Sequence, residues 1–389
     1  MSRRIHFAVF GSGLGHCSRT SLIADIMRRN GNTVNFSSSN NAVDYLRQKG
    51  YSCDRVASVD AEWNVDGGVS VSKTTKRTPS LFSRFAQQVR QENQIMSRFK
   101  PDLVISDSRL SAVVVASLRG IPSVTIANQL RILLPPLYQD TSLNKIEMLD
   151  AEILGFFWSF SKFVLIPDLP PPYTVSVKNI QDIKTVRRKI RYVGFMTPLT
   201  IFDREHLAKL SRVLELEKGK KVVFAQISGP TYTRENLCEI MVKAADATSD
   251  RFTWIVSRGD VGGNERPLKI KGGWMFQWCP LKDELFALAD ILIIRGGHST
   301  ISTAIMNGKP MITIPIVNHS EQVANSKTVE KMGLGLFADQ SMLTSGKLAS
   351  MINDVIGDEK IMKRILEVKD VANKMNGVEN ILKRVETLL

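Results

Sequence analysis

Short β-branched or apolar runs alternate with helix-length amphipathic stretches from one end of the chain to the other, and this alternation restricts the fold more than any other feature. Two strands that lie side by side in the same direction need a long crossover between them, which a helix supplies, so the pattern reads as helices wound over parallel sheets. Strands are predicted over residues 5–10, 33–37, 103–106, 123–126 and 163–166, and again over 221–227, 253–257, 273–276, 291–294 and 311–314. In the second set, helices start near Thr233, Leu281, Ser299 and Ser320. Between the sets, Arg191-Tyr192-Val193-Gly194-Phe195-Met196-Thr197-Pro198 ends a strand in Gly and Pro, and Asp203 is placed to cap a new helix. The expected architecture is α/β: two doubly wound parallel-sheet domains, residues 1–198 and 199–389, facing a cleft. Residues 359–389 read as helical with a weak break near Gly377, and the last helix is placed to pack back on the N-terminal domain.

With 389 residues, 43% of them hydrophobic, the chain has apolar material for two cores, which excludes a disordered chain and a small disulfide-stapled scaffold. Cys17, Cys53, Cys238 and Cys279 stand apart without C-x-x-C spacing, an arrangement against structural zinc and disulfides and in favour of a reducing, cytoplasmic compartment. No apolar run reaches the roughly 18 residues that a membrane-crossing helix needs, and the Ser2-Arg3-Arg4 start meets a Gly-rich turn too soon for a signal peptide. The net charge of +14 is uneven: residues 1–200 hold 26 Lys and Arg against 15 Asp and Glu, and residues 201–389 hold 26 against 23. An excess confined to the first half suits a phosphate-bearing partner, whether nucleic acid, an anionic membrane or a phosphorylated substrate.

Two strand-to-helix turns carry the candidate chemistry. The first strand runs into Gly11-Ser12-Gly13-Leu14-Gly15-His16 and a helix whose opening turns hold Ser18, Arg19 and Thr20. Glycines such as Gly13 and Gly15 let the backbone approach a ligand, and the helix N-terminus offers free N–H groups to an anion. The G-x-G-x-G-H spacing and Ser37-Ser38-Ser39 at the end of the second strand, where an acidic residue would be needed, disfavour a dinucleotide site. His16 sits at the carboxyl end of the first strand, and Asp107 ends the strand over 103–106, so both project from one sheet edge. A carboxylate that accepts an imidazole N–H fixes the tautomer and leaves the other nitrogen as a base. The plain alternatives are a solvated imidazole and an Asp107 that caps the helix before Leu110.

The second turn is Arg295-Gly296-Gly297-His298-Ser299-Thr300, delivered by the apolar run 291–294 and preceded by Trp278-Cys279-Pro280. Its glycines permit close approach, its helix dipole favours negative charge, and an arginine there is suited to fork onto phosphate oxygens. Taken singly, the glycines are an ordinary tight turn and Trp278 a core aromatic; their order and spacing read together as a diphosphate cradle.

These residues resemble the donor-binding signature of GT-B glycosyltransferases, the group that includes UDP-glucuronosyl and plant UDP-sugar transferases and the bacterial N-acetylglucosaminyltransferase that makes lipid II. The resemblance implies two Rossmann-like domains facing a cleft, the N-terminal one binding the acceptor and the C-terminal one the nucleotide-sugar donor. On it, Trp278-Cys279-Pro280 stacks on the nucleotide base, Arg295 to Thr300 bind the diphosphate, and Glu321-Gln322 contact hydroxyls of the transferred sugar. Ser228-Gly229-Pro230 resembles the loop whose amides face the phosphates, and His16 with Asp107 matches the base and its carboxylate partner in the plant enzymes. Thr303 stands where the family usually has a ribose-binding Glu, and Leu281 where it has Gln.

What the resemblance implies is metal-independent transfer, with inversion at the anomeric carbon, from a nucleotide-diphosphate sugar (a UDP-sugar before others) to a hydroxyl acceptor; no cofactor and no D-x-D metal signature enters. The basic excess suits a lipid-linked or phosphorylated acceptor. The clusters Arg28-Arg29, Lys73 to Arg77 and Arg187-Arg188-Lys189, with the apolar stretch over 153–165, suit peripheral contact with an anionic membrane at its inner face. Two other readings stay open: a nucleotide-sugar epimerase of the same fold, which would need further acid/base carboxylates in the cleft, and a basic nucleic-acid-binding protein. No nucleic acid is expected, because the basic residues show no recognition motif.

Overall fold

The computed structural model describes residues 2–11, 14–59, 71–134, 141–197, 200–260 and 262–389. The first half runs β1 (Arg4–Val9), α1 (Gly15–Arg29), β2 (Thr33–Ser38), α2 (Asn40–Gln48), β3 (Cys53–Arg55), α3 (Val71–Phe99), β4 (Leu103–Asp107), α4 (Leu110–Leu118), β5 (Ser123–Ile126), α5 (Thr141–Trp158), β6 (Phe163–Ile166), α6 (Val177–Ile180) and β7 (Ile190–Tyr192). The second runs α7 (Arg204–Val213), β8 (Lys221–Gln226), α8 (Glu235–Ala247), β9 (Phe252–Ser257), β10 (Leu268–Ile270), β11 (Gly273–Phe276), α9 (Lys282–Leu288), β12 (Ile291–Ile294), α10 (His298–Asn307), β13 (Met311–Thr313), α11 (Ser320–Lys331), β14 (Gly335–Phe337), α12 (Ser345–Gly357), α13 (Glu359–Asn373) and α14 (Gly377–Glu386).

The strands form two seven-stranded sheets, ordered β3-β2-β1-β4-β5-β6-β7 and β10-β11-β9-β8-β12-β13-β14. All pairings are parallel except β10 with β11, an antiparallel edge that the sequence pattern did not contain. The central strands are apolar on both faces, as sheets covered by helices on each side require: every residue of β4, β5, β9 and β12 is buried. The strands absent from the sequence reading, β3, β10 and β14, have three residues each and lie at sheet edges, where no continuous apolar run is needed. Asp203 caps α7 as expected, its Oδ1 accepting the His206 N–H at 2.6 Å. The expected boundary at Pro198 lies outside the described residues.

Order reverses between β1 and β4 in the first sheet and between β8 and β12 in the second. Open α/β sheets bind their ligands at the carboxyl ends of the strands flanking such a reversal. The loops concerned are those after β1 and β4, which carry His16 and Asp107, and those after β8 and β12, which carry Ser228-Gly229 and Arg295 to Thr300.

Two further features hold this frame. Glu92 of α3 is fully buried beneath the first sheet, where it accepts from Ser37 Oγ (2.7 Å) and Arg109 Nη2 (2.7 Å) and pairs with His6 Nε2 (3.1 Å). Burial alone would raise its pKa; the His6 hydrogen bond and the Arg109 charge outweigh that and leave it below the ordinary value. The chain also crosses back on itself. α13 packs Ile365, Val368 and Ala372 into the second core, whereas Ile381 and Val385 of α14 join Ile5, Phe7 and Phe36 in the first. Asn380 Nδ2 donates to Val193 O (2.8 Å), and a Cβ on Gly377 would lie 2.4 Å from Phe195 O, so the return is closely packed against the linker.

Candidate active site

His16 lies in the first turn of α1 and Asp107 ends β4, one strand away on the same sheet edge; their side chains meet, His16 Nδ1 to Asp107 Oδ1 at 2.7 Å. The imidazole is partly exposed and the carboxylate fully buried. Asp107 is not the cap of α4, a position held by Arg109. Two neighbours that sequence reasoning gave no role complete its coordination. Arg19 forks onto both oxygens, Nε to Oδ2 at 2.7 Å and Nη2 to Oδ1 at 2.5 Å, and Thr20 Oγ1 donates to Oδ2 at 2.8 Å. Burial pushes the Asp107 carboxyl upward, but the adjacent Arg19 and His16 charges outweigh it and hold the group well below the usual carboxylate range. The signal was local: His16, Arg19 and Thr20 are three and four residues apart on a helix and therefore share a face.

The facing turn begins at Gly296, where a Cβ would lie 2.2 Å from Gln322 O, so no side chain fits. At Gly297, by contrast, a Cβ would meet no protein atom within 4 Å, so packing does not demand glycine there. Gly297 is the N-cap of α10, whose first turn presents Ser299 and Thr300. A Cβ on Gly15 would lie 3.6 Å from Ser299 Oγ, so the N-termini of α1 and α10 approach each other across the interdomain cleft. Both helix dipoles are positive there, and neither helix has an acidic residue in its first turn to offset them. Gly13 lies outside the described residues. Gly229 turns with φ +112 beside Ile316, and Ser228 at the end of β8 is exposed. Trp278 is 38% exposed after β11, a half-open ring as a stacking platform requires.

Two expected phosphate-side groups are placed differently. Arg295 does not reach the cleft: it is buried, and four of its five N–H groups are taken, Nε by Ser228 O (3.2 Å), Nη1 by Ile314 O (3.0 Å) and Gln340 Oε1 (2.6 Å), and Nη2 by Thr233 O (2.9 Å). Burial brings its pKa down to about 10, which leaves it charged at neutral pH. The guanidinium thus ties together the segments after β8, β13 and β14 that surround the turn. The His298 side chain likewise points into the other domain, edge-on to Phe195 and with Nε2 3.1 Å from the buried Asp168 Oδ2, though without hydrogen-bond alignment. Only its backbone N–H is left to the helix terminus.

Glu321 and Gln322 open α11. Gln322 Oε1 accepts from Ile316 N (3.0 Å), and Glu321 Oε1 accepts from Asn128 Nδ2 of the other domain (3.3 Å). Thr303 donates to Ser299 O (2.9 Å) within its own helix and offers no acceptor pair to a diol. Asn128, from the loop after β5, had no signal in the sequence; only the folded cleft places it.

Known proteins resemble this chain in sequence and in fold. A family model described as glycosyl transferase family 1 matches residues 3–151, and one described as glycosyltransferase family 28 C-terminal domain matches residues 244–385. An uncharacterized glycosyltransferase of Methanosarcina acetivorans is 25% identical over 98% of both chains. The UDP-N-acetylglucosamine--N-acetylmuramyl-(pentapeptide) pyrophosphoryl-undecaprenol N-acetylglucosamine transferase of Caldicellulosiruptor saccharolyticus is 26% identical over 99% of this chain and 98% of its own. The solved glycotransferase of kitacinnamycin superposes with a TM-score of 0.73 at 15% identity, over 100% of this chain and 99% of that one. With transferase models on both halves, full-length transferase relatives and two Rossmann-like sheets set as in a solved transferase, the chain is a glycosyltransferase of the GT-B fold.

Proposed function

We propose that the chain transfers a sugar from a nucleotide-diphosphate sugar, held by the C-terminal half, to a hydroxyl of an acceptor held by the N-terminal half, with His16 as general base. The observation that carries the reading is the approach of the α1 and α10 N-termini across the cleft, with His16 and Asp107 on one side and the Gly297 turn on the other. In this mechanism Asp107 accepts the His16 Nδ1 proton, so Nε2 carries the lone pair and removes the acceptor proton as its oxygen attacks the anomeric carbon. The bond from that carbon to the diphosphate breaks on the opposite side, which inverts the centre. Charge on the departing diphosphate falls to the α10 amides, the Ser299 and Thr300 hydroxyls and the Ser228-Gly229 turn; the helix terminus contributes about 0.3–1 kcal/mol, up to ~2 when partly buried. Arg295 acts by holding those loops. Trp278 takes the base, and Glu321 with Gln322 the sugar hydroxyls.

A lipid-linked acceptor finds support in the exposed stripe Ile146, Leu149, Ile153 and Phe156 on α5, spaced for one helix face, with Ile132 also exposed and Arg187 and Arg188 in the same half. The basic run over 73–77 falls within α3 residues whose side chains are not described. Among the described residues, no helix is long and apolar enough to cross a membrane. Flotation with vesicles containing anionic lipid tests this contact, and an Ile153→Glu, Phe156→Glu variant that floats as well as the parent argues against it.

The test of the main reading is a thermal-shift and calorimetric panel of UDP, thymidine diphosphate and UDP-sugars, followed by turnover. A nucleotide at a hundred times its Kd should stabilise the protein by about 2.7 kcal/mol. His16→Gln should keep that binding and lose about 10²–10⁴-fold in transfer; undiminished transfer would remove the base assignment.

A further inference from the structure

Arg19 is not needed to bring His16 and Asp107 together, since those two meet directly, yet it makes the closest contacts in the site. It lies three residues after His16 on α1, is 8% exposed, and forks onto both Asp107 oxygens at 2.5 and 2.7 Å. Its Nη1 donates to Asn128 Oδ1 at 3.3 Å, and Asn128 in turn donates to Glu321 across the cleft. Two parallel N–H···O bonds from a guanidinium make a strong and geometrically fixed ion pair.

We propose that Arg19 is a positioning residue whose charge cancels that of Asp107, so that the carboxylate orients the His16 ring without also holding a proton on it. The reasoning rests on the base reading above and deepens it. A carboxylate alone beside an imidazole favours the imidazolium, the form that cannot accept a proton. Orientation needs only the acceptor lone pair of Oδ1, whereas the charge acts on the whole ring; a cation forked onto the same carboxylate leaves the first and removes the second. The charged and titratable groups around His16 fit this account. Asp107 faces it from β4 and Arg19 from its own helix, with Arg19 Nη2 3.1 Å from Nδ1. The Phe10 ring lies edge-on at 5.4 Å. From the other domain, His298 shares with Arg19 the lining of the narrow interdomain cavity, and Glu321 is reached only through Asn128. Among the described residues in contact with His16, Asp107 is the one anion.

The experiment is a pH titration of the full chain labelled with ¹³Cε1-histidine, the His16 signal assigned by its loss in His16→Gln, run beside the pH profile of UDP-sugar turnover. In Arg19→Gln the His16 midpoint should move upward from the parent's, and the acidic limb of the turnover profile should move with it. Arg19→Lys, which keeps the charge but cannot fork, should stay with the parent. A merely structural Arg19 predicts the reverse, Lys failing like Gln, and a raised midpoint in Arg19→Lys overturns the proposal even if Arg19→Gln does not fold. An unmoved midpoint in a folded Arg19→Gln also overturns it. Failure of the base reading is a separate result: His16→Gln would then turn over normally whatever the Arg19 variants do.

Discussion

Replacing Arg295 with Met keeps an unbranched chain in the pocket and removes every donor, which separates a residue that builds the site from one that touches the ligand. Of its four acceptors, Ser228 O lies in an exposed turn that water can reach, and Thr233 O retains Gln340 Nε2 at 3.0 Å. Ile314 O, just after buried β13, loses its charged donor, and no other donor reaches it among the described residues. A buried carbonyl left unpaired costs about 1–3 kcal/mol, and a hydrogen bond from a charged group about 1.5–3. With part of the loss recovered by water and Gln340, the expected destabilisation is about 3 kcal/mol, a fall of roughly 6–12 °C in the Tm of a half-chain this size. Thermal unfolding without nucleotide, followed by tryptophan fluorescence, reads it directly through Trp254 and Trp274 of the second domain. A variant that melts with the parent but no longer binds UDP would refute the assignment and return Arg295 to the phosphate.

The two glycines of the α10 turn should part company. Gly296→Ala collides with Gln322 O and should lower stability by several kcal/mol, whereas Gly297→Ala should melt like the parent in calorimetry and weaken nucleotide binding several-fold. Glu92→Leu leaves the buried Arg109 guanidinium without its carboxylate partner and should cost about 3–5 kcal/mol by urea unfolding; adding Arg109→Met should recover much of it, since both charges of the pair are then gone. Asp107 and Glu92 both have folded pKa values below their unfolded ones, so the stability they contribute is complete above about pH 4–5 and is lost as pH falls. Urea unfolding between pH 6 and pH 3 should show that decline, with a shallower slope in Asp107→Asn.

What the sequence discloses is what depends on neighbours along the chain. The buried central strands announce themselves as apolar runs, and the turns after β1 and β12 by their glycines; the His16–Asp107 pair follows because parallel strands end at one edge. The edge strands β3 and β10 carry charged residues in place of such a run, and β14, although apolar, is only three residues long and begins at Gly335. Arg295 illustrates a different limit. An arginine after a strand and before Gly-Gly has the chemistry to hold phosphate, and whether its guanidinium turns outward depends on carbonyls 19 to 67 residues away. His298 turns toward Asp168, and Asn128 toward Glu321, for the same kind of reason: the partner belongs to the other domain.

The return of α14 gives the protein an unusual order of assembly. The first sheet and its helices emerge early in synthesis, but the face of that core filled by Ile381 and Val385 stays open until those residues exist. At about 5–20 residues per second, roughly ten to forty seconds separate the linker from α14. During that interval the nascent N-terminal half leaves exposed the apolar surface beside Ile5 and Phe7 that its own distant helix later covers, so maturation of the first core is timed by completion of the second half.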